Sequence, residues 1–148
     1  MVAKTIQLNF EGYWCEPNIG GIPAKSGVYG IYACRHNKDN TVAIRKLIYI
    51  GESTNVHDRI HSHEKWLFWR HYLQAGEQIC LNFAPVGVDR EQAEAALINH
   101  HKPPENIEFV GSFPFQQTTI YTSGRSTLLS PAFTAHPTAG LWACGTNC

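Results

Sequence analysis

What this chain has little of narrows the field first. Only 16% of its 148 residues are charged, and twelve Lys and Arg stand against twelve Asp and Glu. No overall field therefore draws it to a polyanion. No apolar run is long enough to cross a bilayer, and no signal peptide is recognisable, so a cytoplasmic protein without membrane contact is expected. Cys15, Cys34, Cys80, Cys144 and Cys148 are odd in number and lack metal-finger spacing. Reduced thiols are expected, with Cys144 and Cys148 only a weak metal pair. Repeats are absent. The length suits one domain with a real core.

The zero net charge hides a local imbalance. Between Arg35 and His71 there are seven Lys and Arg against four Asp and Glu, with five histidines; between Glu77 and Glu108 there are two against six. Ordinary surface variation produces such differences. They also suit a site that holds phosphate on one side and a divalent cation on the other.

The chain is organised around residues 47–63. Leu47-Ile48-Tyr49-Ile50 is an apolar, β-forming run that breaks at Gly51. Polar Glu52-Ser53-Thr54-Asn55 follows, and Val56 and Ile60 resume at helical spacing. The pattern predicts strand, tight turn and capped helix, with Gly51 freeing the turn. Arg59 and His63 are four apart and share a helix face. A phenol at the strand end with a guanidinium and an imidazole on the helix suits a phosphate and groups that move protons.

Upstream, Gly27-Val28-Tyr29-Gly30-Ile31-Tyr32-Ala33-Cys34 predicts a strand antiparallel to Leu47–Ile50, and Thr41–Ile44 extends the hairpin. Tyr29 and Tyr32 are three apart, so only one faces any given site. Ile6–Phe10 alternates as a short strand does. Trp66, Trp69 and Leu73 recur at helical spacing, reading mainly as core and secondarily as stacking platforms for bases. Ile79–Ala84 predicts a third strand. Asp89 with Gln92 predicts a capping box for a helix that Lys102-Pro103-Pro104 stops. His57/His61 and His100/His101 suggest zinc pairs but lack a third ligand, so they read as surface or core.

Three blocks in order carry a family resemblance. They are Gly27-Val28-Tyr29, or its repeat Gly30-Ile31-Tyr32; Tyr49-Ile50-Gly51 with Arg59 and His63; and Glu94-Ala95-Ala96-Leu97-Ile98 with Pro103 and Asn106. Together they resemble the signature of the GIY-YIG nucleases over residues 23–106. Pro23 fits the proline that the family carries before its first glycine, which selects Tyr29 over Tyr32.

The resemblance implies a small α/β (α+β) domain, a central three-stranded antiparallel sheet flanked by helices. It also implies metal-dependent hydrolysis of DNA phosphodiesters. Glu94 would hold Mg²⁺ or Mn²⁺, with Glu91 a less well-spaced competitor. Arg59 would hold the scissile phosphate, and Tyr29 would act as base with His63 as its proton acceptor, or His63 would be the base itself. Tyr49 would orient the water, and Gly51 and Asn106 would position substrate. The rival reading is a catalytically silent nucleic-acid-binding module. Residues 1–22 are expected as an extension, 23–108 as the nuclease domain, and 109–148 as a tail, docked at first and loose from Ala135. With no separate DNA-binding domain evident, target choice is expected from the domain's own insertions, a homodimer or a partner protein.

Overall fold

A computed structural model describes residues 2–138. The expected three-stranded sheet is corrected: six strands form one sheet in the order β3-β2-β4-β1-β5-β6, curled into a half-barrel. The strands are β1 (Lys4–Cys15), β2 (Gly27–His36), β3 (Val42–Ser53), β4 (Gln78–Pro85), β5 (Thr118–Gly124) and β6 (Ala132–Ala135). All neighbours are antiparallel except β1 and β5, which run parallel. The extra three strands have a physical cause. β4 leaves an open edge, and the Glu11–Cys15 half of β1 pairs there, while its first half buries alternate residues Ile6, Leu8 and Phe10. β5 and β6 then extend the same apolar face with Ile120 and Phe133.

Three α-helices lie on this sheet: α1 (Val56–His61), α2 (Trp66–Arg70) and α3 (Arg90–His101). Side chains alternate along β2, and the core divides accordingly. Tyr29, Ile31 and Ala33 pack with Val56 and Ile60 of α1 and with Trp69 of α2. Val28 lies on the opposite face with Ala93, Ala96 and Leu97 of α3. The helices α1 and α3 therefore sit on opposite faces near the free edge of β3.

Several local expectations change. The helix expected through Leu73 ends at Arg70, so only Trp69 of its aromatics is fully buried, and Leu67 and Phe68 stay exposed. The Asp89 capping box does not form. Its carboxylate instead meets Lys4 Nζ of β1 at 2.6 Å, and Gln92 is buried, donating to Thr118 Oγ1 of β5 at 2.8 Å. Both capping partners are taken by the strands that the sequence pattern left out of the sheet. His57 and His61 stack on each other at 4.2 Å at the surface, whereas His100 and His101 are structural. The His100 ring stacks on Phe133 at 4.1 Å, and His101 Nε2 accepts from the Ser130 N–H at 2.9 Å. The expectation of reduced thiols is corrected at Cys34 and Cys80, which are disulfide-bonded. The loose end expected from Ala135 meets the last residue of β6 at its start; from residue 139 on it lies outside the described residues, as do Cys144 and Cys148.

Candidate active site

A cavity of about 480 Å³ opens along the β3 edge between α1 and α3. Tyr29, Tyr49, Arg59, Glu94 and Asn106 all border it, contributed by β2, β3, α1, α3 and the segment after α3. Tyr32 does not. It is buried on the other face of β2, where its hydroxyl accepts from Asn82 Nδ2 at 3.2 Å.

Gly51 has a different role from the one its sequence context suggests. It lies inside β3, paired with Tyr29, and not at a turn. The Tyr29 ring and hydroxyl occupy the space where a Cβ of residue 51 would be. The missing side chain therefore lets a residue of the second strand reach across the edge strand. The turn begins only after Ser53, and Asn55 caps α1 by accepting from the Asp58 N–H at 3.1 Å.

Asn106 stands in for a strand partner on the open edge. Its Oδ1 accepts from the Ile50 N–H and its amide donates to the Ile50 carbonyl, both at 2.9 Å. The Glu105 N–H donates to the Ile48 carbonyl at 3.1 Å. Together they fix the cavity wall.

His63 stands one layer back from the cavity. Its ring is edge-on to Tyr49 at 5.6 Å and to Tyr29 at 6.5 Å, and lies 4.5 Å from Trp69. Its Nδ1 accepts from the Lys65 N–H at 3.1 Å, which puts the proton of the neutral ring on Nε2. Nε2 is buried without a partner. Burial, assisted by Arg59, lowers the pKa to about 4, so the ring is neutral at physiological pH. As placed, its free nitrogen donates and does not accept.

The phenols are also held protonated. Burial pushes Tyr29 well above its ordinary value, with Tyr49 adding to the effect and Arg59 opposing it. Burial and Glu94 push Tyr49 up to about 12. Glu94 is the anomalous carboxyl. Desolvation first, then Glu52, Glu108 and Glu91, raises it to about 8. A carboxyl held neutral by burial and by three like charges gains most from a cation, and oxygen donors suit Mg²⁺ or Mn²⁺. The residues present therefore fit a hard divalent ion.

Arg59 forms a bidentate ion pair with Glu64, at 3.0 and 2.9 Å, which holds Glu64 down at about 2. Glu64 is exposed, and exposed pairs contribute about 0–1 kcal/mol, so little holds the Arg59 guanidinium to this one partner. Sequence reasoning missed Glu52, Lys65 and Glu108, which also border the cavity. Glu52 lies 2.8 Å from Arg90 without hydrogen-bond alignment. Its signal was its place directly after Gly51, read there as a turn residue. Glu91, the competitor to Glu94, borders the same cavity from the first turn of α3.

No family model, curated protein or solved structure matches the chain.

Proposed function

We propose that this protein is a divalent-metal-dependent endonuclease of the GIY-YIG type, hydrolysing phosphodiester bonds in DNA. One observation carries the reading: five of the motif residues, from five separate segments of the chain, border a single cavity. The Arg59 guanidinium binds the scissile phosphate in a bidentate manner and stabilises its developing charge. Glu94 holds the ion, with Glu52, Glu91 and Glu108 close enough to share its field. The ion, when bound, supplies Lewis-acid stabilisation of the leaving oxygen. Water attacks phosphorus, one P–O bond breaks, and the water proton has to leave. Tyr29 would accept that proton only as a phenolate, its own proton first lost to solvent, which requires cationic charge to offset its burial; Arg59 already acts in that direction. Tyr49 donates to and orients the water. His63 holds the two phenols by packing and is not the base.

No helix among the described residues is long and apolar enough to cross a membrane. A cytoplasmic location goes with the reading. Target choice belongs to a second copy or a partner protein.

A second reading has its own support. Arg59 is already paired and both phenols are held protonated. Those features suit a module that binds nucleic acid without cutting it. Incubation of supercoiled, linear, forked and four-way DNA with Mg²⁺ or with EDTA separates the two. The enzyme reading expects Mg²⁺-dependent nicking of at least one form, whereas retardation without cleavage in any form favours the silent module.

A further inference from the structure

On the face of the sheet that carries Tyr32, away from the candidate active site, three neighbouring strands each present a cysteine. Cys15 ends β1 and pairs directly with Cys80 of β4. Cys34 of β2 lies diagonally across from Cys80, two residues beyond its partner Tyr32, with a Cα–Cα distance of 6.1 Å. The three sulfurs lie within 4.8 Å of one another, and all three residues are buried. Cys15 Sγ is 2.9 Å from Cys80 Sγ. The disulfide between Cys34 and Cys80 uses two of these sulfurs and leaves the third in contact with it.

We propose that the reduced form of this cluster is a site for one thiophilic metal ion, Zn²⁺, ligated by Cys15, Cys34 and Cys80. The geometry fits such an ion. Tetrahedral zinc with Zn–S bonds of about 2.3 Å separates its thiolates by about 3.8 Å, which falls inside the 4.8 Å that spans the three sulfurs. Cys15 also borders a cavity of about 450 Å³ that His36 and Arg125 line. His36 lies two residues beyond Cys34 on the same strand, so it shares that face of β2. The fourth position is filled from this cavity, by water or by the His36 imidazole. Arg125 supplies positive charge beside a centre whose three thiolates and one Zn²⁺ sum to a negative charge.

The alternative chemistry is thiol–disulfide exchange, with Cys15 attacking Cys80 and releasing Cys34. Burial, with Glu16 beside it, raises the Cys15 thiol and suppresses the thiolate that this attack needs. A metal ion overcomes the same suppression by displacing the proton itself. The disulfide is then the two-electron oxidised form of the site. A dithiol reductant opens it, becoming a cyclic disulfide, and Zn²⁺ displaces three thiol protons. An oxidant such as a peroxide, reduced to water, closes the disulfide again and expels the ion.

The test uses the full chain, reduced with a phosphine that is removed without oxygen, and titrated with Co²⁺. One equivalent is expected to give thiolate-to-cobalt charge-transfer absorption and the visible bands of a tetrahedral centre, all displaced by Zn²⁺. Cys15→Ser is expected to weaken binding by at least about tenfold, and Cys144→Ser/Cys148→Ser to leave it unchanged. Absence of the spectrum in the reduced wild-type chain overturns the proposal, as does its persistence in Cys15→Ser or its loss in the tail variant. Should Cys15→Ser fail to fold, alkylation of the wild-type chain decides, in enough urea to modify all five cysteines without zinc. Zinc must protect Cys15, Cys34 and Cys80 and leave Cys144 and Cys148 reactive; any other pattern contradicts the assignment.

Discussion

At the scale of single residues, Glu94 is the group whose environment most needs a ligand. Its carboxyl, raised to about 8, favours the protonated form in the folded state. That contribution to stability is fully present below the ordinary carboxyl range and is lost as pH rises through about 8. Thermal melts without metal are expected to fall over that window, and to flatten in Glu94→Gln. Metal binding needs the carboxylate, so apparent Mg²⁺ affinity should rise about tenfold per pH unit below that pKa and level off above it. Calorimetric titration at several pH values checks this, and a pH-independent affinity would remove Glu94 from the metal site. Arg59→Ala should lower cleavage by roughly 10²-fold or more, because it deletes a preorganised charge contact. Glu64→Ala is the informative companion. Freeing Arg59 from a pair worth about 0–1 kcal/mol should strengthen DNA binding by up to about fivefold in a filter or anisotropy assay. Weaker binding in Glu64→Ala would show that Glu64 orients Arg59 and does not mask it. Tyr29→Phe should be inactive with a near-normal melt, whereas Tyr32→Phe should cleave normally and lose about 1 kcal/mol with the hydrogen bond from Asn82.

At the scale of elements, the edge strand β3 is what the site depends on. A free strand edge is an open row of backbone donors and acceptors, and Asn106 occupies two of them at Ile50. Asn106→Ala should cost about 1–2 kcal/mol and speed amide exchange at Ile50. An unchanged exchange rate there would mean that Asn106 does not hold the edge. Gly51→Ala should cost about 1–3 kcal/mol, since the new methyl meets the Tyr29 ring. The same elements show what the sequence could and could not convey. The strand pair and the presence of a cap within Ser53-Thr54-Asn55 follow from local alternation and spacing, and they were legible; that Asn55 is the residue that caps was not. Gly51 was legible as necessary but not why, because its neighbour in space lies 22 residues earlier in the chain. Glu52 looked like turn polarity because the length of β3 beyond Gly51 is set by pairing with Gly27 and Val28, which no local pattern encodes.

At the scale of the whole molecule, the sheet is twice as wide as the three-stranded one that the motif resemblance implies. The parallel pairing of β1 with β5 joins segments more than a hundred residues apart, a contact no periodicity announces. The alternation of Ile6–Phe10 signalled a strand but not its sheet, and Thr118–Gly124 lay in what read as a docked tail. The Lys4–Asp89 and Gln92–Thr118 contacts tie α3, and with it Glu94, to β1 and β5. The outer strands thereby help set the position of the candidate metal ligand. In the proposed reaction, the carboxyl on α3 and the guanidinium on α1 act on one phosphodiester. The most direct measurement is the nicking rate of supercoiled plasmid in Mg²⁺, as a function of pH, for the wild-type chain and Glu94→Gln. Wild-type nicking is expected to rise with pH toward about 8, to vanish in EDTA and to be absent in Glu94→Gln at every pH. Equal nicking by the two proteins, or wild-type nicking that survives EDTA, would contradict the proposed reaction.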